Sequence, residues 1–151
     1  MSNPGPATNG IANSMLATAP VNTQVNPTPI LTGAKRLLAV GRSVNANAIG
    51  DTQLGIINAG RWVVSDVVCT NASSASVTNC NIIVNAAAAN GGTTIVSSAA
   101  LSSLNSTTYA KYMTVTATNT VQTGSNIYVY VTTTAGATAT FDIFILGFDL
   151  S

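Results

Sequence analysis

The chain has 151 residues, and only 6% are charged: Lys35, Arg36, Arg42, Arg61 and Lys111 against Asp51, Asp66, Asp142 and Asp149, with no His and no Glu. A globular domain usually carries about 25% charged residues, so a conventional charged surface is excluded. The inventory argues against a histidine-based hydrolytic triad and a Cys/His zinc site; a net charge of +1 disfavours nucleic-acid binding, which scales with the number of phosphates neutralised.

Mean hydropathy is positive at +0.38, yet no run approaches the ~20 apolar residues that span a bilayer. Such a chain is expected to bury much of its surface against other subunits, because interface cores are depleted of charge. The first 20 residues contain no Lys or Arg and no continuous apolar stretch. They do not read as a secretory signal, and synthesis in the cytoplasm is expected. The length suffices for one domain with a real core plus an appendage.

Residues 1–33 form that appendage. All five prolines lie there, Pro4, Pro6, Pro20, Pro27 and Pro29, among Asn, Ala, Thr and Gly. Proline lacks the amide hydrogen and keeps its predecessor out of helical angles. The segment is expected to be an extended interaction arm, a disordered tail in isolation that orders only on another surface. Residues 34–151 are expected to form the folded domain.

Ala34 to Val40 reads as a first strand and Gly41 to Asp51 as a loop with a short strand around Val44. Thr52 to Ile57 reads as a strand, Asn58 to Gly60 as a turn, and Arg61 to Thr70 as a strong strand with Trp62 as an anchor. Asn71 to Ser76 is a turn cluster. Val77 to Ala86 follows as a strand with Cys80, Ile82 and Val84 on one face. Ala86 to Gly92 could hold one helical turn ended by Asn-Gly-Gly. Thr93 to Ser97 is a short strand, Ala99 to Thr107 irregular, Thr108 to Ala117 a strand, and Gln122 to Ser125 a turn. Cys69 and Cys80 are either buried thiols or, if the loop centres on Ser74-Ala75, a cross-strand pair.

The closing runs, Asn126 to Thr134 and Thr138 to Leu150, are the richest in aromatic and β-branched residues. Gly136 lies between them. A three-residue hairpin there would put Ile127, Val129, Val131, Phe141, Ile143 and Ile145 on one face. Three extended residues also span roughly 10 Å, about the gap between stacked sheets, so the runs could instead part into opposite sheets. Tyr128, Tyr130, Phe144, Leu146 and Phe148 make a second face, expected at a subunit interface. About eight short strands without an amphipathic helix indicate an all-β, jelly-roll-like β-sandwich.

No catalytic, cofactor-binding or metal-binding residue is assigned, and no cofactor is expected. Thr32 and Thr108, not Ser, stand three residues before Lys35 and Lys111, so no Ser-x-x-Lys dyad exists. No Asp-rich loop offers the six to eight oxygens that calcium takes. Gly33 to Arg36 lacks the earlier Gly and the Ser/Thr of a phosphate loop. Lys35, Arg36 and Arg42 read either as a contact for an acidic partner or as a solvated strand end.

The run Gly50-Asp51-Thr52-Gln53-Leu54, then Val63 to Val68 with Thr70 to Ser73, then Ile127 to Thr133 closing on Phe148-Asp149-Leu150, resembles small β-rich virion proteins of tailed bacteriophages, capsid decoration (cement) proteins above all. The resemblance covers most of residues 34–150. It implies a jelly roll or related sandwich and an oligomer, often a homotrimer, seated on the major capsid protein lattice. It also implies an N-terminal arm that grips the shell, and a location in the virion after cytoplasmic synthesis. Catalytic residues, nucleic acid and membrane are not implied. The expected interaction residues are Pro4, Pro6, Pro20, Pro27, Pro29, Lys35, Arg36, Tyr128, Phe144 and Leu146. The alternative is a tail, fibre or head-fibre module that binds a receptor or glycan through an aromatic platform drawn from Trp62, Tyr109, Tyr112, Tyr128 and Tyr130.

Overall fold

The structure, a computed structural model, describes residues 34–150 apart from 58, 106 and 107. The described chain runs β1 (Arg36–Asn45), β2 (Gly50–Gly55), β3 (Arg61–Thr70), a 3-10 turn (Ala75–Asn79), β4 (Asn81–Ala87), β5 (Gly91–Ala100), β6 (Ala110–Met113), β7 (Gln122–Thr123), β8 (Asn126–Thr133) and β9 (Thr140–Asp149). These strands form two antiparallel sheets. The front sheet is ordered β1-β9-β3-β6, with β7 also on β3, and the back sheet β2-β8-β4-β5. Successive strands switch sheets almost throughout, and β4 with β5 is the one pair both consecutive and bonded. This is the strand order of a jelly-roll β-sandwich.

The closing runs part into opposite sheets. β8 lies between β2 and β4, and β9 between β1 and β3. Gly136 provides the positive φ of +77° in the connection, a conformation that costs glycine little. Ile127, Val129, Val131, Phe141, Ile143 and Ile145 all reach the core, at 0–1% exposure, but from two sheets. Burying each such side chain contributes about 1.5–3 kcal/mol, so these six carry much of the core. Trp62 joins them, and its indole N–H donates to the Gly124 carbonyl at 2.9 Å, which satisfies the one polar atom it would otherwise bury.

Several boundaries differ from expectation. β1 continues through the anticipated loop to Asn45, with register shifts at Leu37/Ala39 and Gly41/Val44. The strand expected from Val77 starts later, because Ser74 caps a 3-10 turn by accepting the Ser76 N–H. Ala86 to Gly92 holds no helix; it is the tip of the β4–β5 hairpin, with Ala89 and Asn90 at positive φ. β5 is longer than the short strand expected. β6 is shorter, because residues after Met113 leave the front sheet: the Thr116 N–H donates to the Ile95 carbonyl of β5 at 2.8 Å.

Cys69 and Cys80 are free, buried thiols. Cys69 is on β3 of the front sheet, and Cys80 immediately precedes β4 of the back sheet. Loss of water pushes Cys69 up to about 12, with a further contribution from Cys80, and pushes Cys80 up to about 11. A thiol is attacked through its thiolate, so neither should react with Ellman's reagent at pH 8 in the folded chain, and both should react in denaturant; rapid native labelling would place them wrongly.

Gly147 faces the core opposite Val64, and a Cβ there would overlap the Val63 carbonyl and approach the Leu38 side chain to 2.7 Å. Gly147→Ala is therefore expected to destabilise by at least the ~1–3 kcal/mol typical of overpacking. Gly55→Ala, where a Cβ meets nothing within 4 Å, should be close to neutral. Chemical denaturation of the two variants compares them directly.

Candidate interaction surface

Strand alternation decides which residues leave the core. On β9, Phe141, Ile143 and Ile145 point inward, so Asp142, Phe144 and Leu146 face out from the front sheet. Directly opposed residues share a face. Val40 of β1 pairs with Phe144, Phe144 with Val68 of β3, and Val68 with Tyr112 of β6. These four side chains form a continuous row across four strands. Leu37 pairs with Leu146 beside it, and Leu146 pairs in turn with Asp66. Tyr112 is 71% exposed and Leu37 36%, while Val40, Phe144, Val68 and Leu146 are half-buried.

Asp142 closes one end of this face. Its Oδ2 accepts from Arg42 Nη1 at 2.7 Å and from Asn71 Nδ2 at 2.8 Å, and its Oδ1 accepts from the Ser43 N–H at 2.8 Å. Ser43 and Asn71 both have positive φ, +51° and +52°. One carboxylate thus fixes the irregular step in β1 and the chain leaving β3. Burial raises the Asp142 pKa, but the bonds from Ser43, Asn71 and Arg42 outweigh it and hold the carboxyl below its ordinary value. The Arg42 guanidinium also lies 4.7 Å from the Phe144 ring centroid, a cation–π contact worth about 0.5–1 kcal/mol where exposed.

The other basic residues at β1 are likewise paired within the chain. Lys35 reaches Asp66 of β3, and this bond, with one from Ser65, lowers the Asp66 pKa. Arg36 Nη2 lies 3.0 Å from Asp149 Oδ2 and donates to the Ile57 carbonyl at 2.6 Å. The cluster Lys35, Arg36 and Arg42 therefore fastens the edge strand β1 to β9 and β3.

The residues expected at an interface are not brought together. Phe144 and Leu146 lie on the front face. Tyr128 lies on the opposite side of the sandwich with Tyr130, beside Gln53 and Asp51 of β2, because β8 and β9 belong to different sheets. The Ala89 N–H donates to Asp51 Oδ2 at 2.6 Å, which ties the β4–β5 tip across the back face towards β2. Of the aromatic platform, Trp62 is buried, Tyr128 and Tyr130 are half-buried, and only Tyr109 and Tyr112 are strongly exposed, at 75% and 71%. Pro4, Pro6, Pro20, Pro27 and Pro29 lie outside the described residues. Val68 is not a candidate from the sequence, and Tyr112 is one only as part of that platform; strand register alone reveals that both continue the Phe144 row.

Among the described residues, no group of three or more His, Cys, Asp or Glu could hold a metal ion, and no helix is long and apolar enough to cross a membrane. No family model matches this sequence, and neither curated proteins nor solved structures match it.

Asp142 provides a sharp test of the front face. Its folded pKa is lowered, so its contribution is complete above the unfolded value near 3.9 and is lost as pH falls through the folded value. Asp142→Asn should cost roughly 1.5–3 kcal/mol at neutral pH, the range for hydrogen bonds to charged groups. It should also flatten the decline in stability below about pH 4. Denaturant melts of both proteins at several pH values measure this; an unchanged acid limb would refute the assignment.

Proposed function

We propose that this chain is a structural virion protein that decorates and stabilises a phage capsid, binding the major capsid protein lattice as an oligomer, with a homotrimer the expected form. It acts by sharing buried area between chains and carries out no catalysis. The reading is supported most by the front face: an apolar row bordered by ion pairs already closed within the chain, on a jelly-roll sandwich with very few charges. Such a surface suits packing against protein. Apolar area removed from water contributes about 25 cal/mol per Å², and many copies on a lattice sum that term against internal pressure. The jelly roll serves many unrelated roles, viral capsid and lectin domains among them, so the surface carries the argument more than the fold.

A second reading has one observation behind it. Tyr109 and Tyr112 stand strongly exposed within three residues of each other, as an aromatic glycan platform on a tail, fibre or head-fibre module requires. Binding on a glycan array that is lost in Tyr109→Ala/Tyr112→Ala would favour it; no binding would remove it.

The decoration reading is tested by co-sedimentation of the full chain with particles of the phage that encodes it, stripped of this protein. Binding at saturable stoichiometry is expected, with greater resistance of the shell to heat or osmotic shock. A chain lacking residues 1–33 should retain its melting transition and lose particle binding; undiminished binding by that truncation would refute the role of the arm.

A further inference from the structure

We infer that the outer face of the front sheet is a docking surface for a second copy of this chain, centred on Val40, Phe144, Val68, Tyr112, Leu37 and Leu146. This deepens the assembly reading above and rests on it. Adjacent strands lie about 4.8 Å apart, so the Val40–Phe144–Val68–Tyr112 row runs for about 14 Å without a polar residue. Leu37 and Leu146 widen it on the β1 side.

Charge selects the occupant. Lys35 is matched by Asp66 and Arg42 by Asp142, so the groups bordering the row attract neither an acidic nor a basic partner and would not repel an identical surface. Arg61, the other cation on this side, stands at the far end of β3, beyond Val63 and Phe148. A highly charged partner would lose hydration at the row without gaining a counter-charge. A copy of this chain, with net charge +1, is as charge-poor as the surface itself.

The make-up of the row is also that of an interface centre. Aromatic residues and Arg are enriched in such centres and Lys is depleted. Tyr112 is largely exposed, and the Arg42 side chain, stacked on Phe144, is 62% exposed. The back face also carries aromatic residues, but polar partners break its rows. There Tyr130 and Tyr128 lie opposite Asp51 and Gln53 on one side and Ile83 and Asn85 on the other, Gln53 bonds Asn126, and the β4–β5 tip is tied over it.

The test is the solution mass of the full chain between about 1 and about 100 µM. A mass of two or more chains is expected. The double variant Leu37→Asp/Tyr112→Asp, at two already exposed positions, should weaken self-association at least tenfold with its melting transition retained. Tyr130→Asp on the back face should leave the mass unchanged. Should the double variant fail to fold, nitration of Tyr112 in the wild-type chain gives a second measure. It should fall at least fivefold from dilute to concentrated protein, while Tyr109 outside the row stays reactive.

A monomeric wild type across the range overturns the inference. So does a double variant that keeps the wild-type mass, or dissociation by Tyr130→Asp instead. A multimer that keeps its mass in the double variant overturns this surface while leaving the capsid reading intact. A multimer dissociated by the double variant supports the surface even if particles are not bound.

Discussion

The structure depends on two strands that do not bond to each other. β8 and β9 are consecutive in the chain, yet each is an interior strand of a different sheet. Their inner faces, Ile127, Val129 and Val131 against Phe141, Ile143 and Ile145, meet one core from opposite sides. Every long partner strand but β5 is then placed by bonding to one of them: β1 and β3 flank β9, and β2 and β4 flank β8. The six residues from Thr134 to Ala139, with Gly136 at positive φ, carry the chain from one sheet to the other. Gly147 lets the backbone of β3 approach β9 where any side chain would hold the two apart.

The ion pairs among the described residues share one role. The three ion pairs there join the start and the irregular middle of β1 to β3 and β9. β1 is an edge strand, and edges present unpaired backbone groups that invite pairing with other chains. Basic residues, register shifts and the Ile57 N–H bonded to the Leu38 carbonyl all protect that edge. On the outer face, Arg42 covers the Phe144 ring but leaves Tyr112 and Leu37 exposed. The association proposed above would accordingly run through side chains, not through sheet extension.

Much of this architecture is legible in the sequence, for identifiable reasons. Period-two alternation identifies the buried members of both closing runs and the face holding Ile82 and Val84. It cannot say which sheet a strand joins, so Tyr128 and Phe144 look like neighbours and prove to lie on opposite sides. The extent of β1 is hidden because Gly41, Ser43 and Asn45 read as loop. The chain is held there by Asp142, about a hundred residues away. The pairing of Lys35, Arg36 and Arg42 is hidden for the same reason: no local spacing reports a partner on a distant strand. The row that ends at Tyr112 is a property of register across four strands, and no single segment contains it.

The position of β9 in the chain also governs how the molecule can form. β1 and β3 both require β9 as their neighbour, and β9 is translated after all the other strands. Until β9 is made, β1 and β3 have no strand between them. Pairings separated by so much sequence form slowly, since loop closure must come before the contacts that reward it. The front sheet therefore closes only once β9 is available to sit between β1 and β3.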